Sequence, residues 1–192
     1  MEELIHTINK CIEQDKNYQR KFYDRYFSFA LKHAFRYFTD YERARDVVHD
    51  SFIKVFNNLN QFSSKSVISA ATEYTLMAWM KKIIINTAID QLRKNKSIPV
   101  LTEITGAIWD EEATTISPED NLLYKELLLE LSKLSPAYRT VFNLHAVDGY
   151  TFNEIAEMLG VTTGGAKSTY FKAKQVLQKN IDKLFNPQKK AC

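Results

Sequence analysis

Residues 151–174, TFNEIAEMLGVTTGGAKSTYFKAK, carry the most specific chemistry in the chain. Thr151 and Glu154 have the spacing of a capping box, which opens a helix by satisfying two free N–H groups reciprocally. Ile155, Ala156 and Leu159 are its apolar stripe, and Gly160 can end it with positive φ. Val161 is an apolar plug before a second helix that starts with Gly164, Gly165 and Ala166. Small residues there let a helix N-terminus approach a surface closely. Lys167, Ser168, Thr169, Lys172 and Lys174 follow, on positions expected to be exposed. This is the spacing of a helix-turn-helix. Its second helix enters the major groove, where side chains read base edges and lysines hold phosphates.

Other constellations fit less well. Asp46 with His49, and Glu3 with His6, are carboxylate-x-x-His steps of the kind that hold metal in helical bundles. Asp46, His49 and Asp50 lie opposite their helix's apolar stripe, so they are expected to point outward, and no metal or other cofactor is expected. His33 and His145 read as structural. No nucleophile–base–orienter set stands out, and Gly164-Gly165 lacks the phosphate-loop pattern, so no intrinsic enzyme activity is expected.

The elements that must position these residues read as helices throughout. Five Gly and four Pro in 192 residues argue against a loop-rich β fold. Helical periodicity covers 3–14, then 18–38 with its aromatic run from Phe22 to Phe38, which reads as core. Thr39 and Asp40 can cap a helix over 40–59, striped by Ala44, Val47, Val48, Phe52, Val55, Phe56 and Leu59. Residues 60–75 are Ser/Thr-rich and read as a loop with room for one turn of helix inside. A strong helix follows over 78–96, with Lys81, Lys82, Asn86, Asp90, Arg93 and Lys94 on its polar side. Ser117-Pro118 and Ser135-Pro136 each open a helix in the second half.

Charge divides the chain in the same places. Residues 1–97 hold 16 Lys/Arg against 11 Asp/Glu; residues 98–120 hold six acids and no Lys/Arg; residues 163–192 hold seven Lys and one Asp. Two basic blocks flank an acidic strip, which suggests polyanion contact at both ends. The expected architecture is all-α: a domain over 1–97, an acidic linker over 98–117 and a four-helix domain with the helix-turn-helix over 118–192. No stretch approaches 18 uninterrupted apolar residues, so no membrane insertion is expected. The acidic start and the two distant cysteines fit a cytoplasmic protein.

The run YERARDVVHDSFIKVFNNLNQF, then AWMKKIIINTAIDQLRK, then LSPAYRTVFNLHAVDGYTFNEIAEMLGVTTGGAKSTYFKAK, resembles the extracytoplasmic-function (ECF) group of the sigma-70 family over about residues 8–184. LIHTINKCIEQDK and RYF resemble its Bacteroidetes-type members. The resemblance implies a sigma factor that binds core RNA polymerase at its clamp and flap regions, recognises −35 and −10 promoter elements, and melts DNA. It implies an anti-sigma factor as a further partner, and no small-molecule substrate. Asp46, His49, Asp50 and Ile53 would dock on the polymerase. Asn86 would line a pocket for a flipped −10 base, with Lys81, Lys82, Arg93 and Lys94 on phosphates. Lys167, Ser168, Thr169, Phe171, Lys172 and Lys174 would read the −35 element, with Arg139 and Thr151 on its backbone. Three features depart from the family pattern: Thr169 where arginine is common, Arg45 where an acid is usual, and a longer stretch between Phe62 and Trp79. The alternative reading is a helix-turn-helix regulator that binds duplex DNA on its own.

Overall fold

The computed structural model describes residues 2–65, 72–94 and 122–185, and these are helical apart from short turns. The chain divides into two compact units, Met1–Gln91 and Leu92–Cys192. The division falls inside the last turn of a helix, a few residues before the expected boundary. The linker over 98–117 and the cap Ser117–Asp120 lie outside the described residues.

The first unit holds α1 (Glu2–Ile12), α2 (Lys16–Phe35), α3 (Tyr41–Lys65) and all but the last three residues of α4 (Thr72–Lys94). Asp15 caps α2 by accepting from the N–H groups of Asn17 and Tyr18, and Asp40 accepts from Arg43 N–H to start α3. Leu4, Ile8 and Cys11 of α1, Phe22 and Tyr26 of α2, and Val47, Val48, Phe52, Val55 and Leu59 of α3 are buried. So are Leu76, Met80, Ile84, Ile85 and Ile89 of α4. Helical steps of three and four put each set on one face, and those faces make the core. Phe22 joins α2 to α3, with ring centroids 6.4 Å from Phe52 and 5.8 Å from Phe56.

The expected loop over 60–75 is largely helix. α3 runs on to Lys65 and α4 begins at Thr72, six residues before the expected start. Phe62 is buried and its ring lies 5.1 Å from Trp79, while Leu76 is fully buried. These apolar contacts outweigh the weak helix propensity of the Ser, Thr and Asn residues around them. The remaining stretch, 66–71, lies outside the described residues.

The second unit holds α5 (Leu122–Ser132), α6 (Pro136–Phe142), α7 (Phe152–Leu159) and α8 (Thr163–Phe185). Ser135 caps α6 with Pro136 in its first turn. A π-helical turn, Asn143–Val147, continues α6 up to Gly149, which takes φ +79°. Leu131 and Leu134 pack with Ala173 and Leu177 of α8 in one buried cluster, bordered by Tyr138 and Phe142.

Candidate nucleic-acid interface

The helix-turn-helix forms as its sequence predicts. The Thr151 hydroxyl accepts from Glu154 N–H at 3.3 Å, and the Glu154 carboxylate accepts from Thr151 N–H at 2.8 Å. Gly160 ends α7 with φ +67°, a conformation that only glycine adopts without cost. Thr162 caps α8 by accepting from Gly165 N–H at 3.0 Å, and Thr163 donates to Asn153 at 3.1 Å, tying the two helices together.

α8 buries Ala166, Thr169, Ala173 and Leu177 and turns Gly164, Lys167, Ser168, Phe171, Lys172 and Gln175 to solvent. The outer set follows steps of three and four, so it is one continuous face. Phe171 is 49 % exposed on it, an apolar ring among polar side chains. A Cβ added at Gly164 would meet nothing within 4 Å, so that corner is open to an approaching surface. Lys174 is exposed on the flank of this face. Sequence reasoning did not single out Gln175. Its spacing of four from Phe171 and seven from Ser168 was the signal.

Two expected DNA contacts are corrected, Thr169 and Arg139. Thr169 is 4 % exposed and packs on the inner stripe of α8, so it cannot reach a base edge. Arg139 is 7 % exposed, and its guanidinium donates to the carbonyl of Ser132 at 3.1 Å, bracing the α5–α6 turn from inside. Thr151 is exposed, but its hydroxyl and N–H both bond Glu154.

His145 is structural, as expected. A backbone carbonyl can only accept, so its Nδ1, 2.9 Å from the Tyr150 carbonyl, carries the proton. Its ring stacks on Phe152 at 4.1 Å and meets Tyr170 edge-on at 4.6 Å, which fixes α8 against the π turn and α7.

Helix α4 exposes Lys82, Asn86 and Arg93. Their steps of four and seven place them on one face, with half-buried Trp79 at its edge. Lys81 is half-buried on one flank and Lys94 is exposed on the other. Asn86 presents an amide with both donors and an acceptor to solvent.

The outer face of α3 carries Asp46, His49, Asp50 and Ile53, all exposed, with Ile53 at 60 %. His49 stacks on Tyr23 of α2 at 6.0 Å. Asp50 accepts from Gln91 of α4 at 2.9 Å, and Lys54 pairs with Asp90 at 3.1 Å. Arg45 pairs with Glu42 one turn back, which offsets its charge on this face. Among the described residues no group of His, Cys, Asp and Glu could hold a metal ion, and no helix is long and apolar enough to cross a membrane.

Residues 22–98 match the family model for Sigma-70 region 2, and residues 124–177 match that for Sigma-70, region 4. The chain belongs to the sigma-70 family. It is an ECF-type RNA polymerase sigma factor and directs promoter-specific initiation of transcription. The RNA polymerase sigma factor SigV of Bacillus subtilis is 29 % identical over 150 residues, 78 % of this chain and 82 % of SigV. The ECF RNA polymerase sigma factor SigW of the same organism is 26 % identical over 161 residues, 79 % of this chain and 82 % of SigW. The fold is shared with the sigma factor RpoE of Bartonella quintana, solved in complex with the anti-sigma factor NepR. The TM-score is 0.50 at 19 % identity, covering 88 % of this chain and 98 % of that one.

Proposed function

We propose a division of labour among three exposed faces of this sigma factor. The α8 face (Lys167, Ser168, Phe171 and Lys172, with Gln175) reads the −35 element in the major groove, and Lys174 holds a phosphate beside it. The α4 face holds the −10 element: Asn86 takes a flipped base by its edge, and Lys82 and Arg93 bind phosphates, with Lys81 and Lys94 to either side. Asp46, His49 and Ile53 on α3 dock on core polymerase, and Asp50 steadies that surface through Gln91. The single observation that carries the reading is that two basic, solvent-facing helix surfaces stand in two separate units, matched to regions 2 and 4.

The domains are 1–97 and 118–192, joined by the acidic linker 98–117. The polymerase performs the chemistry of RNA synthesis, and this chain supplies recognition. It works in the cytoplasm, where the polymerase is. An anti-sigma factor covers these faces when transcription is not wanted, in line with the complex formed by its structural neighbour. LIHTINKCIEQDK and RYF resemble Bacteroidetes-type members of the group, and the chain is read as one of that branch.

Asn86→Ala and Lys167→Ala in reconstituted polymerase test the division. Asn86→Ala should lose discrimination only at the −10 element, and Lys167→Ala should weaken only −35-dependent initiation. Equal losses on templates altered at either element would overturn it.

A further inference from the structure

Four rings meet Tyr170 of α8, and they come from four stretches of the chain. Phe142 of α6 stacks on it at 5.9 Å, and His145 of the π turn meets it edge-on at 4.6 Å. Phe152 of α7 tilts against it at 5.7 Å, and Phe171, its neighbour on α8, meets it edge-on at 5.6 Å. The first three are half-buried. Phe171 is 49 % exposed on the face assigned to the −35 element, and Tyr170 is its one ring contact among the described residues. The other side chains about one turn from it on that face, Lys167, Ser168 and Gln175, are polar.

An exposed phenylalanine has several staggered positions open to it, and a base contact needs one of them. Settling that position before binding lowers the ordering cost. Tyr170 settles it for Phe171, and Tyr170 is held in turn by its other three rings. Phe142 and Phe152 are hydrocarbon rings that can only pack. His145 has a polar anchor: its Nδ1–H donates to the Tyr150 carbonyl at 2.9 Å, so the main chain orients the ring. That stretch of main chain is itself closed onto the π turn. Tyr150 N–H donates to the Leu144 carbonyl at 2.9 Å, and Asp148 N–H to the Asn143 carbonyl at 2.9 Å. A line of fixed contacts thus runs from the Tyr150 carbonyl through His145 and Tyr170 to Phe171. In the major groove an apolar ring finds one apolar partner on the bases, the thymine methyl group.

We infer that His145 is a positioning residue for −35 recognition: through Tyr170 it sets the Phe171 ring against a thymine methyl group. The inference rests on the assignment of the α8 face to the −35 element. His145 itself touches no DNA, and its effect is confined to the base pair that Phe171 meets.

The test uses core polymerase with the full chain, on promoter templates whose −35 thymines are replaced one at a time by deoxyuridine. Deoxyuridine lacks only the methyl group. With the unaltered chain, one replacement should lower initiation about fourfold, the worth of one buried methyl group. Phe171→Ala should abolish that difference. His145→Phe keeps a ring but has no N–H to donate; His145→Asn keeps an N–H but loses the ring edge. Both should lose most of the difference, with the response to changes in the −10 element unaltered. Tyr170→Phe keeps the ring and should keep the difference. Thermal unfolding is followed on each variant. A full fourfold difference in a folded His145 variant overturns the inference and leaves the −35 assignment intact. So does the absence of any deoxyuridine effect with the unaltered chain, where Lys167→Ala still weakens −35-dependent initiation. Failure of both His145 variants to fold would show that the residue serves the fold alone, and also overturns it. If Lys167→Ala leaves −35-dependent initiation intact, the −35 assignment itself fails, and this inference with it.

Discussion

Asp50 of α3 accepts a hydrogen bond from Gln91 of α4 at 2.9 Å, next to the Lys54–Asp90 pair at 3.1 Å. The helix proposed to hold polymerase and the helix proposed to hold the −10 element are thus linked by two polar bonds at one level. Both bonds face solvent. An exposed ion pair contributes about 0.2–1 kcal/mol. A double-mutant cycle of Lys54→Ala and Asp90→Ala, followed by urea unfolding, should give a coupling energy within that range. A coupling above about 2 kcal/mol would mean that the pair is shielded from water.

The α8 face should behave as a phosphate-binding and base-reading surface. Lys167→Ala and Lys172→Ala should each lower the salt dependence of DNA binding by about one unit of slope. Thr169→Val, on the inner stripe, should leave both slope and sequence preference unchanged. Titrating promoter DNA at several salt concentrations checks all three. A change in base preference with Thr169→Val would show that α8 is rolled differently.

How much of this was legible depends on how local the signal was. Asp40, Ser135-Pro136, Thr151 with Glu154, and Gly160 are short-range caps, and each stands where its residue types predict. The ends of α3 and α4 were hidden because their residues are poor helix formers. Contacts between Phe62 and Trp79, distant in sequence, decide them. Thr169 could have been placed inward from the spacing Ala166–Thr169–Ala173–Leu177, which outweighs its polar type. The burial of Arg139 had no such sign. A charged side chain goes inside only where the fold offers it partners, here the Ser132 carbonyl.

The caps of the helix-turn-helix should matter for stability. Gly160→Ala forces a Cβ into a left-handed conformation and should cost about 1–2 kcal/mol. Glu154→Ala opens the capping box and should cost about 1 kcal/mol. Thermal unfolding followed by circular dichroism measures both. A neutral Gly160→Ala would contradict the φ of +67°.

Cys11 should be inert in the folded protein. Burial, with a smaller effect from the Asp15 charge, pushes its thiol up to about 11. The unfolded thiol ionises near its ordinary value, so above that pH the unfolded chain releases a proton that the native state keeps. Stability from this group is therefore full below the unfolded value and declines as pH rises toward about 11. In a Cys192→Ser background, labelling of Cys11 at pH 8 should track unfolding. Rapid labelling of the folded protein would contradict its burial.

The most direct measurement is transcription by core RNA polymerase with this protein added, on genomic DNA, with transcript 5′ ends sequenced. The expected result is starts that vanish without the protein and share upstream −35 and −10 elements. Absence of such starts, together with unaided and specific binding to duplex DNA, would contradict it and leave a helix-turn-helix regulator in its place.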